Sequence, residues 1–250
     1  MLKSPYSILV STVILMWCAA RLGAYLRSKW EMADRVREDF GVILAATLTL
    51  LGLIIGFSFS MAISRYDQRK NYEEEEASAI STEYLRLDLL PGNAGMVRNL
   101  LASYLDQRIL FYETRDAEHL SRIGSATSQL EQEMWSAVRT PAAAQPSPIA
   151  ALAVSGMNDV LNSEGYTAAA WLNRIPFPAW GLMIAIAFCC NLMIGYGARQ
   201  ASSETVLLLV LPIVVAISFF LIADIDSPRR GMIRVHPQNL ISLEDSLRGR

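Results

Sequence analysis

The chain has 250 residues, 52% of them hydrophobic and 18% charged, with a formal net charge of −2. That balance supplies no basic field for nucleic acid. Three cysteines, all within apolar stretches, and two distant histidines, His119 and His236, suggest neither a disulfide framework nor a metal site.

Pro5 to Ala20 carries no ionisable charge. The first span is placed at residues 1–26, with Arg21 snorkelling to the interface. Lys3 is the only positive charge before this run, and the run is long for a cleaved leader. A retained signal-anchor helix is therefore expected. A short external loop, 27–39, follows.

Phe40 to Ser64 has no ionisable side chain, and at ~1.5 Å per residue it exceeds the ~30 Å hydrocarbon core. This second span, 40–64, carries two stripes of one-turn spacing. Gly52, Gly56, Ser60 and Ser64 form a small-residue face on which another helix can approach closely. About 100° away, Thr49, Leu53 and Phe57 form a second stripe. Ordinary helix packing and lipid contact would account for both. A functional reading makes the second stripe the wall of an apolar constriction that gates by dewetting.

Residues 65–175 are polar and read as helices throughout. Glu73, Ala77, Ile80, Tyr84 and Leu87 continue the second span as an amphipathic rod up to the Pro91–Asn93 breaker. Val97, Leu101, Tyr104, Arg108 and Phe111 mark a second helix. Leu120, Ile123, Thr127, Leu130, Met134 and Val138 mark a third, closed at Thr140–Pro141. A fourth runs from about Ile149 to Asn173, and the insert is expected to pack on its neighbours rather than fold independently. Glu73 to Glu76 turn through ~300° and so cannot share one axis; they read as a solvated face. The third span is 176–198, a loop covers 199–204, the fourth span is 205–223, and 224–250 is a tail.

Positive residues near the membrane are in excess on the side of the termini and insert. That places both termini and the bundle in the cytoplasm, and the chain in the cell's inner (plasma) membrane. The fold class is all-α: a polytopic protein with four transmembrane helices and a helical cytoplasmic insert. The spans hold no carboxylate, only Asn191 and scattered hydroxyls, and Pro212 is their single interior breaker. That is poor material for a coupled transporter. No nucleophile elbow, phosphate loop or histidine pairing marks an enzyme, and no cofactor is implied.

The run from Leu51 to Arg69, the stretch from Asp224 to Val235, Arg86 to Pro91 and Arg174–Pro176 together resemble the bestrophin-like family of bacterial membrane proteins over Phe40 to Leu247. More distantly, Gly56, Phe57, Arg65 and Tyr66 are similar to bestrophins, oligomeric anion channels that are usually pentamers. The resemblance implies a homo-oligomer passing small inorganic anions, with a pore neck at Thr49, Leu53 and Phe57. Thr49 is polar where an apolar neck residue is expected, and Asp67 replaces an aromatic. Only Glu244 and Asp245 stand in place of an acidic calcium-binding stretch, so calcium gating is not implied. One protomer cannot enclose a water path, so a pore needs several copies around an axis. Arg65, Arg69 and Lys70 would concentrate anions at its mouth. The competing reading is a non-conducting membrane scaffold or sensor whose cytoplasmic bundle recruits a partner.

Overall fold

The protein is described from a computed structural model covering residues 5–30, 34–90, 94–198 and 205–249. Among these residues it is helical, with no strand: α1 (Pro5–Lys29), α2 (Asp34–Arg86), α3 (Ala94–Glu113), α4 (Ala117–Ala144), α5 (Pro148–Leu172), α6 (Phe177–Gly197), α7 (Thr205–Asp226) and α8 (Gln238–Arg248). Four helical stretches are long and apolar enough to cross a membrane: α1, part of α2, a stretch ending with α6, and α7. The chain divides into two compact units, Met1–Ser64 with Arg174–Ile233, and Arg65–Asn173 with Arg234–Arg250. The expected breaker at Pro91–Asn93 and the loop at 199–204 lie outside the described residues.

In the first unit, α1 packs on α6 and α7. Small residues make the α1–α6 contact possible. Ala19, Ala20 and Gly195 are buried, and a Cβ built on Gly195 would sit 1.8 Å from the Ala20 carbonyl oxygen. The core of this unit joins Met16, Leu51, Met183, Cys190, Val215 and Phe219. Trp180 meets Phe219 edge-on, with ring centroids 5.9 Å apart. Asn191 is buried, and its side-chain amide donates to the Ala187 carbonyl at 2.8 Å.

The turn after α7 is organised by two buried aspartates. Asp224 accepts the backbone N–H groups of Met232 and Ile233, the shortest at 2.8 Å. Gly231 is required there, because its Cβ would fall 2.3 Å from the Asp224 carbonyl oxygen. Asp226 accepts the Ile175 N–H on both oxygens, at 3.1 and 3.2 Å, fixing the chain entry to α6. Asp226→Ala is expected to leave that amide unpaired and lower stability by about 1–2 kcal/mol, measurable as a lower midpoint of denaturant unfolding in detergent.

The second unit packs the polar half of α2, a 3-10 turn at Leu87–Leu89, α3, α4, α5 and α8 around their own core. Its stripes match the periodicity: Ala77 and Ile80 of α2, Leu87 of the 3-10 turn, Val97 and Leu101 of α3, Met134 and Val138 of α4 are buried. Caps set the helix starts. Asp116 accepts the His119 N–H at 3.0 Å to open α4, and Ser147 accepts the Ala150 N–H at 3.0 Å before Pro148 opens α5. The His119 amide holds the Asp116 carboxyl below its usual range. Pro141 does not close α4 as the sequence suggested. Lying in the last turn, it costs a single backbone bond, and the helix continues to Ala144 with Gln145 donating back to the Pro141 carbonyl.

Candidate pore helix and the charged core of the bundle

Within the first unit, α2 turns Leu51, Ser58 and Ala62 inward, with Leu48, Ile54 and Ile55 partly covered. Both stripes singled out in the sequence face outward from the protomer. Phe57 is 64% exposed and Leu53 53%, and Thr49 is exposed as well. Gly52, Gly56, Ser60 and Ser64 are also exposed, and a Cβ on either glycine would meet no atom within 4 Å. Among the described residues, therefore, no helix of the protomer is seated against Gly52 or Gly56 on the small-residue face. The Thr49 hydroxyl donates to the Ala45 carbonyl at 2.9 Å, so this polar group is satisfied by its own helix.

The three basic residues after the span differ. Lys70 is exposed and Arg65 half-buried. Arg69 is buried and donates to the carbonyls of Ala170 and Asn173, both at 3.3 Å. Its guanidinium thus caps the C-terminal end of α5, where a cation is favoured by the orphan carbonyls.

The glutamate run is not the solvated face expected from sequence. Glu74 and Glu75 are exposed, but Glu73 and Glu76 are buried. Glu73 accepts the backbone N–H groups of Asn239 and Leu240 at 2.9 and 3.0 Å, and the Asn239 side-chain amide at 2.6 Å. A carboxylate from α2 therefore serves the N-terminus of α8. Glu76 is 0% exposed and forms an ion pair with Arg108, which is 1% exposed. The second Glu76 oxygen accepts the Tyr112 hydroxyl at 3.1 Å and the Thr167 hydroxyl at 3.2 Å. Arg108 also reaches Glu164 at 3.4 Å, and its guanidinium lies 4.5 Å from the Phe111 ring centroid.

This network draws one member from α2, two from α3 and two from α5 and closes the centre of the bundle. Burial, reinforced by the Glu76 charge, raises the Tyr104 and Tyr112 hydroxyls well above the usual phenol value. Both therefore stay protonated, and Tyr112 can donate. Burial and then repulsion from Glu164 push Glu131 of α4 up to about 7. Among the described residues no group of three or more acidic, histidine or cysteine side chains could hold a metal ion.

Sequence reasoning set Glu73 on the apolar stripe without giving it a role, and missed Glu76 and Thr167. A signal for Glu76 was present, since it lies beside the stripe that includes Ala77 and Ile80.

The sequence profile of the bestrophin-like domain matches residues 10–240. The chain belongs to the bestrophin-like family. No curated protein is significantly similar to it. Solved structures are. A point variant of a bacterial bestrophin homolog from Klebsiella pneumoniae superposes with a TM-score of 0.66 at 12% identity, covering 97% of each chain. A structure of the Klebsiella pneumoniae homolog phased with zinc gives 0.63 at 13% identity, over 96% of this chain and 98% of that one. Another variant gives 0.65 at 13%, over 98% and 97%. At such identity the likeness is one of fold. This bestrophin-like chain is thus a membrane protein of the bestrophin fold, and the stretch from Asp224 to Val235 that carried the resemblance is the aspartate-bound turn after α7.

Proposed function

We propose that the protein is one subunit of a homo-oligomeric anion channel, with Thr49, Leu53 and Phe57 of α2 lining an apolar neck. The reading is carried by the exposure of that stripe on a helix whose opposite face is committed to the protomer core. An apolar side chain bare in one protomer can face lipid or a shared axis. Gly52 and Gly56, bare beside the stripe, suit close approach of a second copy. The phenyl edge of Phe57 is partly positive and suits an anion at a constriction. Arg65 and Lys70 would supply the positive field near the mouth; Arg69, engaged by α5, contributes less. The membrane is the cell's inner membrane, with both termini and the bundle cytoplasmic, as the loop charges favour. A pentamer follows the usual bestrophin number. No enzymatic role or cofactor is assigned.

Planar-bilayer recording of the purified protein under a chloride gradient tests this. A reversal potential at the chloride equilibrium value supports the channel. Silence at high protein density supports the scaffold instead, with the bundle recruiting a partner. Phe57→Ala is expected to raise unitary conductance or remove gating, and an unchanged conductance would take Phe57 out of the neck.

A further inference from the structure

Glu83 lies on the last turn of α2, in the second unit. It is 0% exposed, and among the described residues neither carboxylate oxygen has a hydrogen-bond partner. Buried acidic side chains elsewhere in this bundle are well served: Glu73 accepts three N–H donors, and Glu76 an arginine and two hydroxyls. Glu83 instead lies under the backbone of α5. A Cβ built on Gly156 would sit 2.0 Å from Glu83 Oε2 and 2.6 Å from Nη1 of Arg86. Glycine at 156 is what lets the two helices close over the carboxyl. Two charged groups act on it: Arg86 from its own helix and Asp159 from α5. Arg86 is divided between them, since its Nη1 lies 3.9 Å from Asp159. An open cleft of about 600 Å³ runs along the same seam, lined by Ser78, Thr82, Arg86, Gly156 and Asp159 among others. It gives water, and so protons, a route to the edge of the contact.

We propose that Glu83 is a proton-operated latch between α2 and α5, closed by Gly156 when the carboxyl is neutral and released toward the cleft when it ionises. A neutral carboxyl can be buried at modest cost, whereas an unpartnered carboxylate in the same place is strongly disfavoured. Burial is the main cause, with Asp159 adding to it and Arg86 opposing, and together they push Glu83 up to about 8. With the latch open and the carboxyl in water, the group returns to the ordinary carboxylate range. Between about pH 4.5 and 8 the closed form therefore holds a proton that the open form has lost. Closure weakens with rising pH, by up to about tenfold per pH unit in that window, and levels off above it.

The test uses the purified full-length protein in detergent or nanodiscs. Infrared difference spectra should show a protonated-carboxyl C=O band that persists at pH 6, titrates away near pH 8 and is missing in Glu83→Gln. Hydrogen–deuterium exchange then reads the seam. Over peptides covering 150–165, wild type should exchange at least about tenfold faster than Glu83→Gln at pH 9 and match it at about pH 4, below the window in which the open form alone has lost its proton. Comparing the two proteins at one pH cancels the intrinsic pH dependence of exchange. Gly156→Ala, which places a methyl group where the carboxyl sits, should give fast exchange of the same segment at both pH values. Absence of the titrating band, or an exchange ratio between wild type and Glu83→Gln that does not change with pH, would overturn the latch.

Discussion

Arg108→Met is expected to destabilise the bundle by about 3–5 kcal/mol, because it removes the counter-charge of a carboxylate that has no route to water. Glu76 is fully enclosed, and its remaining donors, the Tyr112 and Thr167 hydroxyls, are neutral. Arg108 is equally buried, and one of its terminal nitrogens already lacks a partner. Loss of Glu76 alone would strand the guanidinium, although Glu164 at 3.4 Å would retain part of it. The two single substitutions should therefore be unequal, with Arg108→Met the worse. Glu76→Leu combined with Arg108→Met should recover much of the loss, since a buried pair replaced by apolar residues of similar volume is often neutral. Trp171 reports on the centre directly: its ring lies 5.4 Å from Tyr112 and 5.1 Å from Phe111. Denaturant unfolding followed by tryptophan fluorescence, run as a double-mutant cycle, measures the coupling. A single Arg108→Met variant unfolding at the wild-type midpoint would show that the pair contributes nothing net.

Much of the architecture was legible because it rests on patterns the chain must carry. The second, third and fourth spans are uncharged over the length a bilayer demands, and the stripes of α2, α3 and α4 repeat at helical spacing. Arg108 stood inside an apolar stripe between Tyr104 and Phe111, which in hindsight marks a buried cation seeking a carboxylate. Which carboxylate was not readable, because Glu76 lies 32 residues earlier and Thr167 another helix pair later. Four glutamates in a row suggest solvent by composition. Periodicity argues otherwise, since residues 73 and 76 are three apart and share the inward face. Arg69 misleads in the same way, a basic residue near the membrane whose charge is taken up by the end of α5. Helix α8 is short and polar, and its start depends on the distant Glu73 rather than on a local cap. The stripe of Thr49, Leu53 and Phe57 is plain in sequence, but its spacing does not say what it faces outside the protomer.

Gly195→Val is expected to separate α1 from α6 and cost about 3 kcal/mol, the upper end for overpacking. Even a single methyl at this position would lie 1.8 Å from the Ala20 carbonyl oxygen and 2.7 Å from its carbon. These are backbone atoms, so no side chain can turn aside and one helix must move. Gly23 faces α6 in the same seam, its Cβ 2.0 Å from the Leu192 carbonyl oxygen. Gly23→Ala should weaken the same contact, and the two changes should not add, because one displacement relieves both. In a bilayer this separation has little compensation: lipid tails fill the gap as well as leucine does, so close packing itself holds the helices together. Gly56→Ala makes the contrast informative, because nothing among the described residues lies within 4 Å of its Cβ. It should leave unfolding in mixed detergent–SDS micelles unchanged while lowering the oligomer fraction seen by native mass spectrometry, if the small face of α2 seats a second copy. Gly195→Val should do the reverse in order of cause, losing the fold first and the assembly with it. An oligomer indifferent to Gly56→Ala would return that face to lipid, and the neck stripe beside it would lose its argument for an axis.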